Sequence, residues 1–171
     1  MAADLCFAIP GHIETLTGGY AYDRRLIAAL RALGWDIRHL GLGPSFPFPD
    51  AGDLSMAAGA FAALAAGSLV LVDGLAFGAM PGIAAAEGKR LRLIALVHHP
   101  LAEETGLGPA DCAKLLESER RALAMTRGVI ATSITTARRL VQAYGVAPAR
   151  LAVARCHRLG SAAGPWWRWW R

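Results

Sequence analysis

The chain has 171 residues, 54% of them hydrophobic, and a net charge of +5. That length suits one domain with a core of its own, and no apolar run is long enough to span a bilayer. Arg155, Arg158, Arg168 and Arg171 fall in the last seventeen residues and leave the rest close to neutral, so the basic balance does not point to nucleic acid. Cys6, Cys112 and Cys156 are scattered. They fit incidental thiols in a reducing compartment, not a disulfide framework or a metal site. No basic segment precedes an apolar stretch at the start, so no secretory signal is expected and the cytoplasm is.

Short apolar runs alternate with longer helical ones. A first strand is predicted over residues 5–9. Residues 22–33 read as a helix with Leu26, Ile27, Leu30 and Leu33 on one face and Gly34 as a stop. Residues 35–40 read as a second strand. Residues 41–53, with prolines and glycines among aromatics, read as a loop. A helix over 54–66 and a buried strand over 68–72 follow, the strand ending at Asp73-Gly74. Residues 75–87 are weakly helical and broken at Pro81-Gly82. A strand over 91–97 ends at His98-His99-Pro100. Pro109 suits the first turn of a helix over 109–126. A short strand over 128–131 leads to a helix over 133–144, with Ser133 as its cap and Gly145 as its stop. The last strand is expected at 151–154.

This alternation predicts an α/β, Rossmann-like, mostly parallel sheet with helices on both faces. The strands over 5–9, 68–72, 91–97 and 128–131 are expected at its centre. Ligands of such sheets sit outside the carboxyl ends of the strands. Those ends carry Gly18-Gly19, Asp73-Gly74, His98-His99 and Thr132-Ser133. The glycine pair stands in a loop ahead of a helix start, where unpaired amides and the helix dipole favour an anion. The plainer reading is a tight turn, because the full dinucleotide fingerprint is missing.

Several segments, taken together and in order, resemble the N-terminal domain of a family 4 (group 1) glycosyltransferase of the GT-B fold. They are Pro10-Gly11 with the run Thr17-Gly18-Gly19-Tyr20-Ala21-Tyr22-Asp23-Arg24-Arg25; then Val97-His98-His99-Pro100-Leu101; then Glu119-Arg120 and Gly128-Val129-Ile130-Ala131-Thr132-Ser133 with Thr136. The resemblance implies a domain over residues 1–154 that forms one half of a GT-B enzyme. Such an enzyme transfers a sugar from a nucleotide-sugar donor to a sugar, lipid-linked or small-molecule hydroxyl, with retention of configuration. It implies that Gly18 and Gly19 meet the donor phosphates and that His98 lies near the reacting sugar. There His98 acts through its ring or its backbone carbonyl. Tyr20, Tyr22, Arg24, Asp73, His99 and Ser133 are candidates for acceptor or donor contacts. Asp73-Gly74 is also a common turn pair, and Ser133 lacks a nucleophile elbow and reads first as a cap. Glu103-Glu104 reads as a solvated loop, and Glu117 and Glu119 as surface charges. The nucleotide-sugar is a co-substrate; no cofactor and no metal are expected.

Residues 155–171 depart from the family. The ending Pro165-Trp166-Trp167-Arg168-Trp169-Trp170-Arg171 resembles no linker. A frameshift or a gene-model error that truncates a longer enzyme is the expectation, with a poorly packed tail and an isolated chain that is inactive. Tryptophan with arginine also suits membrane interfaces, which adds peripheral contact at the inner face of the membrane. The alternative function is a stand-alone nucleotide- or sugar-binding Rossmann module.

Overall fold

The computed structural model describes residues 3–155. The expectations for the tryptophan-rich tail therefore lie outside the described residues. Along the chain run β1 (Ala3–Pro10), α1 (Gly18–Ala32), β2 (Trp35–Leu42), α2 (Ala51–Ala62) and β3 (Leu69–Asp73). Then come α3 (Gly74–Phe77), α4 (Pro81–Glu87), β4 (Arg92–Val97), α5 (Pro109–Ala124), β5 (Gly128–Ala131), α6 (Ile134–Tyr144) and β6 (Leu151–Val153). The six strands form one sheet in the order β2-β1-β3-β4-β5-β6, and every neighbouring pair is parallel. The four strands expected at the centre are there.

The strand order explains the two faces. The chain leaves β1 in one direction to make β2, then returns across β1 to make β3 and continues outward. Right-handed crossovers send helices to opposite faces when the direction reverses. Accordingly, Tyr22, Leu26, Ile27 and Leu30 of α1 pack with Leu5, Phe7, Ile9, Leu71 and Leu96 on one face. On the other face, residues of α2 through α6 pack with Cys6, Ala8, Val70, Val72, Leu93 and Ala95. All five residues of β3 and all four of β5 are buried, the mark of parallel strands covered on both sides. Phe7, Phe61 and Phe77 are among the largest fully buried side chains. Each contributes roughly 1.5–3 kcal/mol by leaving water.

Local rules set most ends. The Ser133 side chain accepts from the Thr136 amide and caps α6, and Gly145 closes it at φ 71°, a left-handed turn that glycine adopts without strain. Two boundaries differ usefully from the sequence reading. α1 begins at Gly18, four residues before its apolar stripe, because the Thr17 side chain accepts from the Tyr20 amide and caps it there. The glycine pair is thus the first turn of a helix and not a loop. The helix expected over 54–66 instead spans Ala51–Ala62, because Asp50 caps it by accepting from the Asp53 amide.

Candidate functional site

The winding of the chain reverses between β1 and β3, which opens the sheet at their carboxyl ends, the usual ligand position in this architecture. Three elements deliver ionisable side chains to that spot. β3 ends on Asp73, α1 carries Asp23 on its sheet-facing side, and His98 follows β4. His98 Nε2 lies 3.0 Å from Asp23 Oδ1 and 3.8 Å from Asp73 Oδ2. Both acids are buried, whereas 22% of the His98 side chain is exposed. The mouth of the cluster is therefore the imidazole.

Other contacts hold this arrangement. Asp73 Oδ1 accepts from the Leu75 amide at 2.7 Å, which starts α3. The Tyr22 ring meets His98 edge-on, with centroids 5.1 Å apart and planes at 80°. The His98 carbonyl accepts from Thr136 Oγ1 at 3.1 Å and Thr132 Oγ1 at 3.4 Å. Gly19 packs beside the ring: a Cβ there would stand 3.7 Å from His98 Cδ2. The α1 N-terminus and the imidazole are therefore adjacent.

The charges are interdependent. Burial and the Asp23 charge push Asp73 upward to about 7, while His98 and the Leu75 amide pull the other way. Burial works against the imidazolium of His98, but the bond to Asp23 and the charges of Asp23 and Asp73 outweigh it and raise its pKa. Asp23, Asp73 and His98 also bring ligand atoms within 4.8 Å of one another. A divalent cation would find two carboxylates and an imidazole there. The same His98 Nε2 also lies within hydrogen-bond distance of Asp23.

The remaining sequence candidates occupy supporting positions. Tyr20 donates to the Pro10 carbonyl at 2.8 Å and Tyr22 to the Ala154 carbonyl at 2.7 Å, so both hydroxyls tie chain segments to α1. Arg24 donates to the Ile13 carbonyl and, at 3.3 Å, to the Thr15 carbonyl, bracing the loop ahead of α1. His99 turns away and pairs with the Glu103 carbonyl at 2.9 Å. Ser133 serves as the cap of α6. Glu103 has a partner that the sequence did not reveal: Arg139, at 2.6 Å.

Two acids correct the sequence reading. Glu119 is not a surface charge; it is 1% exposed, and its Oε2 accepts from the Leu101 amide at 2.9 Å. Burial pushes its pKa up to about 8, against the pull of the Leu101 amide and with a further push from Glu103. Asp23, absent from the sequence-derived site residues, is fully buried at the centre of the cluster. A signal existed for both. Asp23 shares a helical stripe with Leu26, Ile27 and Leu30, and Glu119 shares one with Leu115, Ala122 and Leu123. An acid on an apolar stripe is a buried acid.

A groove of about 720 Å³ lies at the opposite end of the sheet, lined by Asp4, Cys6, Asp36, Arg38 and Arg92 among others. It lies under the amino ends of the strands, where this architecture does not place ligands, so the chemistry is argued at the carboxyl edge. No protein-family model matches the chain, and no curated protein matches it. The fold defines a doubly wound, Rossmann-like α/β domain. Among the described residues, no helix is long and apolar enough to cross a membrane.

Proposed function

We propose that this chain is the acceptor-side domain of a family 4-like GT-B glycosyltransferase, which moves a sugar from a nucleotide-sugar donor to an acceptor hydroxyl with retention. In this reading a second domain grips most of the donor. The present domain lends the start of α1 to the donor phosphates and His98 to the sugar, and works in the cytoplasm or at the inner face of the membrane.

One observation carries the reading: Gly18 and Gly19 stand where folding does not need glycine. Neither has a positive φ, and a Cβ at Gly18 meets nothing within 4 Å. Glycine where alanine would fit without strain costs roughly 0.4–1 kcal/mol. A ligand that must approach the backbone accounts for that cost. The Thr17 side chain takes up the Tyr20 amide, and the Ala21 amide bonds the Thr17 carbonyl. Those bonds leave the Gly18 and Gly19 amides to an anion, and the helix dipole adds to the attraction.

His98 supports the sugar role through its ring. Its carbonyl is already engaged by two threonine hydroxyls, so the ring, partly open to solvent, is the part of the residue left for a ligand. Tyr20, Tyr22 and Arg24 shape the site by holding its backbone and need not touch a substrate.

Joined to a family 4 C-terminal domain, the chain is expected to transfer sugar from a nucleotide donor while the isolated chain does not. Tight nucleotide binding by the isolated chain, with no transfer by the joined protein, would favour the stand-alone binding module instead.

A further inference from the structure

We propose that Asp23 and Asp73 are positioning residues that hold His98 with Nε2 protonated and turned inward, so that the ring meets its ligand through Nδ1. The proposal rests on the reading that a nucleotide-sugar lies at this edge of the sheet, but its test does not.

The direction of the hydrogen bond follows from the donor inventory. An ionised carboxylate carries no proton to give, so with Asp23 ionised the imidazole Nε2, 3.0 Å from its Oδ1, is the donor. The neutral ring therefore carries its proton on Nε2, and Nδ1 holds the lone pair. Turning the ring over would break that bond and leave a fully buried carboxylate without a donor, a costly exchange. Asp23 Oδ2 already has no hydrogen-bond partner among the described residues. His98 Nε2 is accordingly the partner that Asp23 Oδ1 meets.

Packing closes the other routes. The Tyr22 edge lies against one side of the ring, and Gly19 approaches another. The two threonine hydroxyls hold the His98 backbone. Asp73, when ionised, adds a second negative charge 3.8 Å from the same nitrogen, with its own Oδ1 fixed by the Leu75 amide.

Among the described residues, the charged and titratable groups facing the ring are Asp23 and Tyr22 from α1 and Asp73 from β3, with the Tyr20 hydroxyl close enough to sense both acids; the Tyr22 hydroxyl is turned to the Ala154 carbonyl. Their combined field favours a second proton on the imidazole, and the available site for it is Nδ1. The ring then becomes a cation whose outward N–H donates. Its fitting partner is an acceptor oxygen of the donor, a phosphate oxygen or a sugar hydroxyl, next to the amides of α1. The acids thereby set both the charge and the orientation of the ring without touching the ligand.

The test is a pH titration of the full chain with ¹⁵N-labelled histidine, read by NMR, which requires no nucleotide-sugar. His98 is expected to titrate above an ordinary histidine and, when neutral, to carry its proton on Nε2. Asp23→Asn is expected to move that titration downward, and Asp73→Asn to move it down by less. A neutral ring protonated on Nδ1, a His98 titrating at or below the ordinary value, or an unshifted titration in a folded Asp23→Asn chain would overturn the proposal. Should Asp23→Asn fail to fold, the parent titration and Asp73→Asn decide by the same criteria. Zn²⁺ added alone is expected to leave the Nε2 proton in place; its loss at stoichiometric Zn²⁺ would make the cluster a metal site and overturn the assignment. Sugar transfer by the joined enzyme is read separately, so failure of the enzymatic reading and failure of this one are distinct.

Discussion

Asp23 and Glu119 carry the same sequence signature and do different work. Each is an acid on the apolar stripe of a helix, and each is almost completely buried. Asp23 faces an imidazole that opens to solvent. Glu119 faces a backbone amide, that of Leu101, just after the His98 turn. An acid beside a titratable partner shares its charge and shapes what that partner offers a ligand. An acid with only an amide beside it takes up a proton and becomes a brace. The partner, not the burial, separates a site from a support.

The largest expected effect concerns the brace. Glu119 has a pKa near 8 in the folded chain against an ordinary 4.5, so the folded state binds its proton more tightly. Its contribution favours folding at low pH and is lost as pH rises from about 4.5 to about 8, by on the order of 4 kcal/mol. Asp73 and His98 are also shifted upward and act in the same direction, so the difference between parent and variant isolates Glu119. Glu119→Gln keeps an acceptor for Leu101 and cannot ionise. Denaturant unfolding should find it several kcal/mol more stable than the parent at pH 9 and close to it at pH 5. Equal stabilities at both pH values would show that Glu119 is not a buried proton carrier.

Asp23→Asn is expected to cost about 1–3 kcal/mol of stability at neutral pH, since a charge-assisted buried bond is replaced by a neutral one. Chemical denaturation of the two chains measures it. A variant as stable as the parent would mean that the ion pair only offsets its own desolvation, and the contrast with Glu119 would narrow to chemistry alone.

Gly18→Ala should give the smallest shift and the opposite sign. The added methyl meets open space, so the fold should gain about 0.5–1 kcal/mol while the joined enzyme transfers sugar more slowly. A gain in both stability and transfer would remove the ligand explanation for the glycine.

Much of the fold was legible because its signals are local. The buried apolar runs marked β3, β4 and β5, and Ser133 and Gly145 marked the ends of α6. The start of α1 was harder to read, since the apolar stripe begins at Tyr22 whereas Thr17 and not the stripe sets the cap. His98, Asp73 and the glycine pair could be placed at one edge by strand order. The bond from His98 to Asp23 spans 75 residues of sequence, and no local pattern encodes it. Glu119 was misread because helix periodicity was applied to its apolar residues and not to the acid lying among them.

The central claim is that the start of α1 and the His98 ring together receive a sugar donor. Transfer rates of Gly19→Val and His98→Ala in the joined two-domain enzyme test it most directly, with folding followed by circular dichroism. A Cβ at residue 19 fits 3.7 Å from the ring, but the methyls of valine would crowd both the imidazole and the phosphate position. Loss of a charge-assisted hydrogen bond costs roughly 1.5–3 kcal/mol, so each variant should fall about tenfold to a hundredfold in rate. Two folded variants that turn over like the parent would contradict the account.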